Sequence, residues 1–86
     1  MAKEILLSSE AKGIRKGVYK HFKGDEYLIL GVALHSETQE ELVVYQRLAH
    51  GVPVQPYSWV RPLSMFLETV DKPEYKGPRF VFLRES

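Results

Sequence analysis

Apolar positions in this chain fall into short runs with a period of two, separated by glycine, proline and charged residues. Such alternation marks half-buried strands of an antiparallel sheet. The clearest case spans residues 27–48, where two β-prone runs, 27–34 and 42–48, flank the polar stretch His35-Ser36-Glu37-Thr38-Gln39-Glu40-Glu41. That stretch is too charged to be buried and is rich in turn-favouring residues, so the segment predicts a β-hairpin. Gly31 lies inside the first run, where a missing Cβ predicts a bulge or sharp bend.

Residues 17–22 predict a strand before it, closed by the turn Lys23-Gly24-Asp25-Glu26. Residues 49–56 carry two prolines and a glycine and cannot form an interior strand. Residues 57–61 predict a short strand. Pro62 suits a first helical position, and Leu63, Phe66, Leu67 and Val70 recur at i, i+3, i+4 and i+7, which predicts one helix over residues 62–69. Residues 71–78 read as a polar connection and 79–83 as a closing strand. The fold class is mainly β, a small curled antiparallel sheet or SH3-like barrel of about five strands with one short helix. Residues 17–86 form one small domain, preceded by a basic arm at 1–16 whose Ile5, Leu6 and Leu7 predict docking as a short helix or added edge strand.

Strand parity assigns the faces. Val18, Phe22, Leu28, Leu30, Val32, Leu34, Leu42, Val44, Leu48 and Val60 share one parity and predict the core. Tyr19, His21, Tyr27, Ile29, Ala33, His35, Val43, Tyr45, Arg47, Tyr57, Trp59 and Arg61 share the other and predict a partly open aromatic and polar surface. A bend at Gly31 exchanges the faces locally, which makes the placement of Tyr27 and Ile29 depend on it.

With 44% hydrophobic and 27% charged residues in 86 positions, the chain suits one small soluble domain. The absence of cysteine excludes disulfides, thiolate zinc sites and cysteine nucleophiles. The apolar run Ile5-Leu6-Leu7 is shorter than a secretory signal or membrane span requires, which points to a cytoplasmic protein with no membrane partner. Net charge is +1, but residues 1–24 carry +4, residues 25–46 carry −5 and residues 47–86 carry +2. That asymmetry allows steering or contact between copies.

Candidate chemistry is sparse. His35, Ser36 and Glu37 are hydrolase residue types, yet three consecutive residues do not converge on one point, and no Gly-x-Ser-x-Gly elbow surrounds Ser36. Ser36 and Thr38 instead suit bonds that fix the turn. His21, His35, His50, Glu37 and Glu40 show no HExxH or HxH spacing, and no phosphate-binding glycine run is present, so no metal or cofactor is expected. Trp59 and Arg61 share a face, with Tyr45 opposite if their strand pairs with the second arm of the hairpin. Such a cluster can hold a ligand by stacking and a charged hydrogen bond.

The residues Gly17-x-Tyr19-x-His21-Phe22-Lys23-Gly24, Tyr27-x-Ile29-Leu30-Gly31-Val32-Ala33-x-His35-Ser36-Glu37-Thr38, Val43-Val44-Tyr45 and Trp59-Val60-Arg61-Pro62-Leu63-x-Met65-Phe66 closely resemble the bacterial family catalogued as domain of unknown function 1653. The resemblance extends from Gly17 to Phe82 and implies no activity. Relative to that family, the segment 49–58 looks longer and richer in proline, and the arm before Gly17 looks additional.

These readings lead to a non-catalytic binding module that takes a peptide, nucleotide or nucleic-acid segment through Tyr19, His21, His35, Glu37, Tyr45, Trp59 and Arg61. One alternative is a small enzyme with His21 or His35 as general base beside Glu37 and Arg61 holding an anion. Another is a homo-oligomeric assembly partner with the arm and the Trp59 face covered by a second copy.

Overall fold

The computed structural model describes residues 7–86; the expected docking of Ile5 and Leu6 lies outside them. Ser8 opens a one-turn helix, α1 (Ser9–Lys12), by accepting a hydrogen bond from the Ala11 N–H at 3.1 Å. The Ser8 backbone N–H and hydroxyl donate to the two Glu41 carboxylate oxygens at 2.7 and 2.6 Å, which ties this segment to the hairpin.

Strands β1 (Gly17–His21), β2 (Glu26–Leu34) and β3 (Glu41–Ala49) form the predicted meander. The two-residue β4 (Val52–Pro53) and then β5 (Trp59–Pro62) both pair with β3. After α2 (Leu63–Phe66), β6 (Thr69–Lys72) and β7 (Tyr75–Pro78) make a separate hairpin, and β8 (Phe80–Arg84) returns to pair with β1. The main sheet is antiparallel and six-stranded, in the order β4-β3-β2-β1-β8 with β5 also on β3. It does not close, so the barrel alternative gives way to the open sheet.

Two local expectations need correction. The predicted helix over 62–69 ends at Phe66, and a second short helix, α1, exists. Residues predicted as a polar connection form the β6–β7 hairpin instead. Val70, counted with the helical stripe, is 4% exposed within β6, and the β-branched pair Thr69-Val70 favours strand over helix.

The larger correction concerns the faces. The core contains Tyr19, Ile29 and Val43, at 7%, 1% and 0% exposure, packed with Ala11, Leu63, Phe66 and Phe80. These strand residues belong to the parity expected to be open. Of the parity expected to be the core, Val18 and Leu48 are buried, but Leu30 is 41% and Val60 56% exposed. The reason is that α1, α2 and Phe80 all lie on the aromatic side. There Phe66 stacks on Phe80 at 4.7 Å and meets Tyr19 edge-on at 5.3 Å, burying broad rings that gain more area than aliphatic side chains.

Gly31 also does what its position predicted. Ile29 pairs with Tyr45 and Gly31 with Val44, which leaves Leu30 as the extra residue of a bulge. Tyr27 and Ile29 therefore point inward before it, and Val32, paired with Val43, points inward after it. Gly31 takes φ +149°, a region that L-residues with a Cβ avoid.

Candidate functional site

Beyond the edge of the helix-covered core, the inner face continues as an aromatic flank. Cross-strand pairing sets Tyr45 between Ile29 and Trp59, Arg61 beside Val43, and His21 beside Phe80. Tyr27 meets Tyr45 edge-on at 5.5 Å and Phe80 at 5.7 Å. Trp59 is 45% exposed and touches Tyr57, itself 51% exposed, at 5.2 Å. This pairing of Trp59 with Tyr45 is the cross-strand arrangement the sequence allowed.

The Arg61 guanidinium lies 5.3 Å from the Phe80 ring centre and 5.9 Å from that of Tyr45, within range of a cation–π contact. Among the described residues no carboxylate pairs with it. Across the His21 ring, which sits 4.9 Å from Phe80 and 4.6 Å from Phe22, a second cationic patch begins. Lys72, Arg79 and Lys23 surround the Phe22 ring at 5.2, 5.6 and 5.8 Å. Tyr75 stacks on that ring at 5.5 Å, which anchors the β6–β7 hairpin beside it.

His21 carries the electrostatic signature of this crowding. Burial, and then the positive charges of Arg79, Arg61 and Lys23, push its pKa below the ordinary 6.5, opposed by Asp25. The ring is neutral at pH 7. Its Nδ1 accepts from the Lys23 N–H at 3.2 Å, which leaves Nε2 as the N–H donor. Tyr27 is shifted upward by burial and by Asp25, so its hydroxyl stays protonated and can donate.

The other expected site residues lie elsewhere. Tyr19 is a core residue whose hydroxyl donates to the Arg15 carbonyl at 2.9 Å. His35 and Glu37 sit at the far tip of the β2–β3 hairpin, where the His35 Nδ1 accepts from the Glu37 and Thr38 N–H groups at 3.1 and 3.3 Å. Thr38 Oγ1 accepts from the Glu40 N–H at 3.2 Å. These bonds fix the turn, as its composition suggested. Tyr27 lies beside His21 and β2 carries the chain from it to the turn, so His35 is about 26 Å along the strand from His21. An acid–base site shared by His21, His35 and Glu37 is therefore not assembled. Nor do the described residues contain a cluster of three or more metal-ligating side chains, and no described helix is long and apolar enough to cross a membrane.

Phe22, Tyr27, Lys72, Arg79 and Phe80 join the flank without having been singled out as candidates. Tyr27 shared the parity of Tyr45 and Trp59, which was a usable signal; the arrival of Arg79 and Lys72 depends on how the second hairpin packs.

The family model described as a protein of unknown function, DUF1653, matches residues 17–82. This chain belongs to the DUF1653 family. A crystal structure of a DUF1653 protein from Bordetella bronchiseptica is similar to it, with 39% identity over 88% of this chain and 95% of that one at a TM-score of 0.75. No curated protein matches the chain. The DUF1653 match begins at Gly17 and includes Phe22, Tyr27, Tyr45, Trp59, Arg61, Tyr75, Arg79 and Phe80, so the whole aromatic and cationic flank falls inside the family region.

Proposed function

We propose that this DUF1653 protein is a non-catalytic binding module for a short single-stranded nucleic-acid segment. The observation that carries the reading is the set of cations over rings: Arg61 over Phe80 and Tyr45, and Lys23, Lys72 and Arg79 around Phe22. Glu68, 3.5 Å from Arg79, is the one carboxylate paired with any of the four among the described residues. Bases stack on exposed rings such as Trp59 and Tyr57, while phosphates meet guanidinium and ammonium groups. A peptide recognised by its backbone would gain little from Arg61, Lys23 and Lys72, which no described carboxylate pairs. The acidic hairpin tip with Glu37 and Glu40 bounds the flank, which limits the segment to a few nucleotides.

Trp59 is the single tryptophan, so its fluorescence reports binding directly. Titration with an oligothymidylate at low salt is expected to quench it, and Arg61→Ala is expected to weaken binding by about tenfold with the urea midpoint almost unchanged. Unaltered Trp59 emission with oligothymidylate, together with a response to an unstructured acidic peptide, would replace nucleic acid by peptide as the ligand.

A further inference from the structure

Where the second hairpin meets the main sheet there is a cavity of about 280 Å³, lined by Lys20, His21, Phe22, Tyr75, Val81 and Leu83. Lys20 faces Val81 across β1 and β8, and Leu83 follows as the extra residue of the bulge in β8. Tyr75 forms the opposite wall: its ring stacks on Phe22 at 5.5 Å, and its hydroxyl donates to the Pro78 carbonyl at 2.6 Å, which holds the ring in place. Val81 and Leu83 are 42% and 41% exposed, so the apolar side of the cavity is open to a ligand. We propose that it binds an aromatic phosphomonoester of nucleoside-monophosphate size, with the ring in the cavity and the phosphate on the lysines around Phe22.

Size selects the ring. An apolar cavity of about 150 Å³ takes one benzene, so this one takes a substituted ring or a fused pair. Charge selects the phosphate. Phe22 is both a wall of the cavity and the centre of the cationic patch, with the Lys72 and Lys23 ammonium groups 5.2 and 5.8 Å from its ring centre. Together with Lys20 they are three ammonium groups that no described carboxylate pairs. Glu26, the cross-strand neighbour of Lys20, is engaged by Arg84 at 3.3 Å. A phosphomonoester carries about −1.5 to −2 charges at pH 7 and three acceptor oxygens, which suits several cations at once. The inference rests on the proposed function only in taking Lys23 and Lys72 as phosphate ligands; it needs neither Trp59 nor a strand.

NMR titration of the isotope-labelled full chain with thymidine monophosphate tests this. The expected result is saturable binding below about 1 mM, with amide shifts centred on Lys20, Tyr75, Val81 and Leu83. Thymidine and inorganic phosphate should each bind at least about tenfold more weakly. Val81→Phe fills the cavity at an exposed position and should weaken binding by a similar factor, the dispersion of its spectrum showing that the fold is kept. The proposal is overturned by an absence of saturable shifts, by shifts confined to the Trp59 flank, by equal affinity for thymidine or inorganic phosphate, or by undiminished affinity in folded Val81→Phe. Oligothymidylate binding is read separately, by Trp59 emission. Quenching without shifts in the cavity overturns this site and leaves the single-strand reading in place, whereas cavity shifts without quenching support this site and remove that reading.

Discussion

Ile29 and Leu30 are consecutive, similar in size and equally apolar, yet one is 1% and the other 41% exposed. The bond between them separates the two faces of the main sheet. The inner face gathers aromatic rings, two short helices and β8's Phe80 around Tyr19, Ile29 and Val43. The outer face is more aliphatic, and its exposure is uneven: Val18 is 6% exposed, whereas Val60 is 56%. Hydrophobicity alone therefore does not choose the interior of this sheet; the side onto which the helices fold chooses it.

The sharpest way to break that comparison is a pair of truncations. Ile29→Ala is expected to cost about 3–4 kcal/mol in urea unfolding, because it empties the core. Leu30→Ala should cost under about 1 kcal/mol, because its side chain is 41% exposed. Equal costs would erase the distinction between the faces.

Gly17→Ala should come next, with a loss of roughly 1–3 kcal/mol by thermal or urea unfolding. Gly17 adopts φ +148°, and a Cβ there would collide with the Arg84 carbonyl oxygen. The substitution thus strikes the β1–β8 seam shared by both faces.

Ser8→Ala probes how the helix is fastened to the inner side and should cost about 1 kcal/mol through loss of the α1 cap. Its effect should shrink in acid. The hydrogen bonds from Ser8 lower the Glu41 pKa below 4.5, so their contribution is present above that value and fades as pH falls through the folded pKa. A Ser8→Ala penalty that stays constant from neutral pH to below that range would detach Glu41 from the contact.

The smallest expected effect concerns His21. Because its folded pKa lies below 6.5, the fold is favoured above that value and loses stability as pH falls from it toward the lowered pKa. His21→Gln should flatten this slope in urea unfolding series. A bound polyanion should raise the pKa of His21 again, so oligothymidylate affinity is expected to increase modestly on acidification in wild type and not in the variant.

Much of the framework was legible because strands print a period of two. The three meander strands, the turn chemistry at residues 35–41, the bulge at Gly31 and the closing strand all follow from local residue types. The pairing of Trp59 with Tyr45 was also accessible, since it needs only β5 to lie beside β3. The helix length was not, because Leu67 and Val70 fit the helical stripe while tertiary contacts drew Val70 into β6. The cationic half of the flank was hidden for a similar reason. Phe22 lies 50 residues before Lys72 and 57 before Arg79, and only the packing of the second hairpin on Phe22 through Tyr75 unites them.

By itself the sequence determined which residues share a face, since alternation along an extended backbone is a local property, and it fixed where that alternation breaks by placing glycine at position 31. Tertiary structure decided which face became the interior. With both faces apolar, the choice fell to long-range docking: α2 follows β5 without an intervening loop and α1 is held by Ser8 to Glu41, so both helices cover the aromatic side and neither covers the aliphatic one.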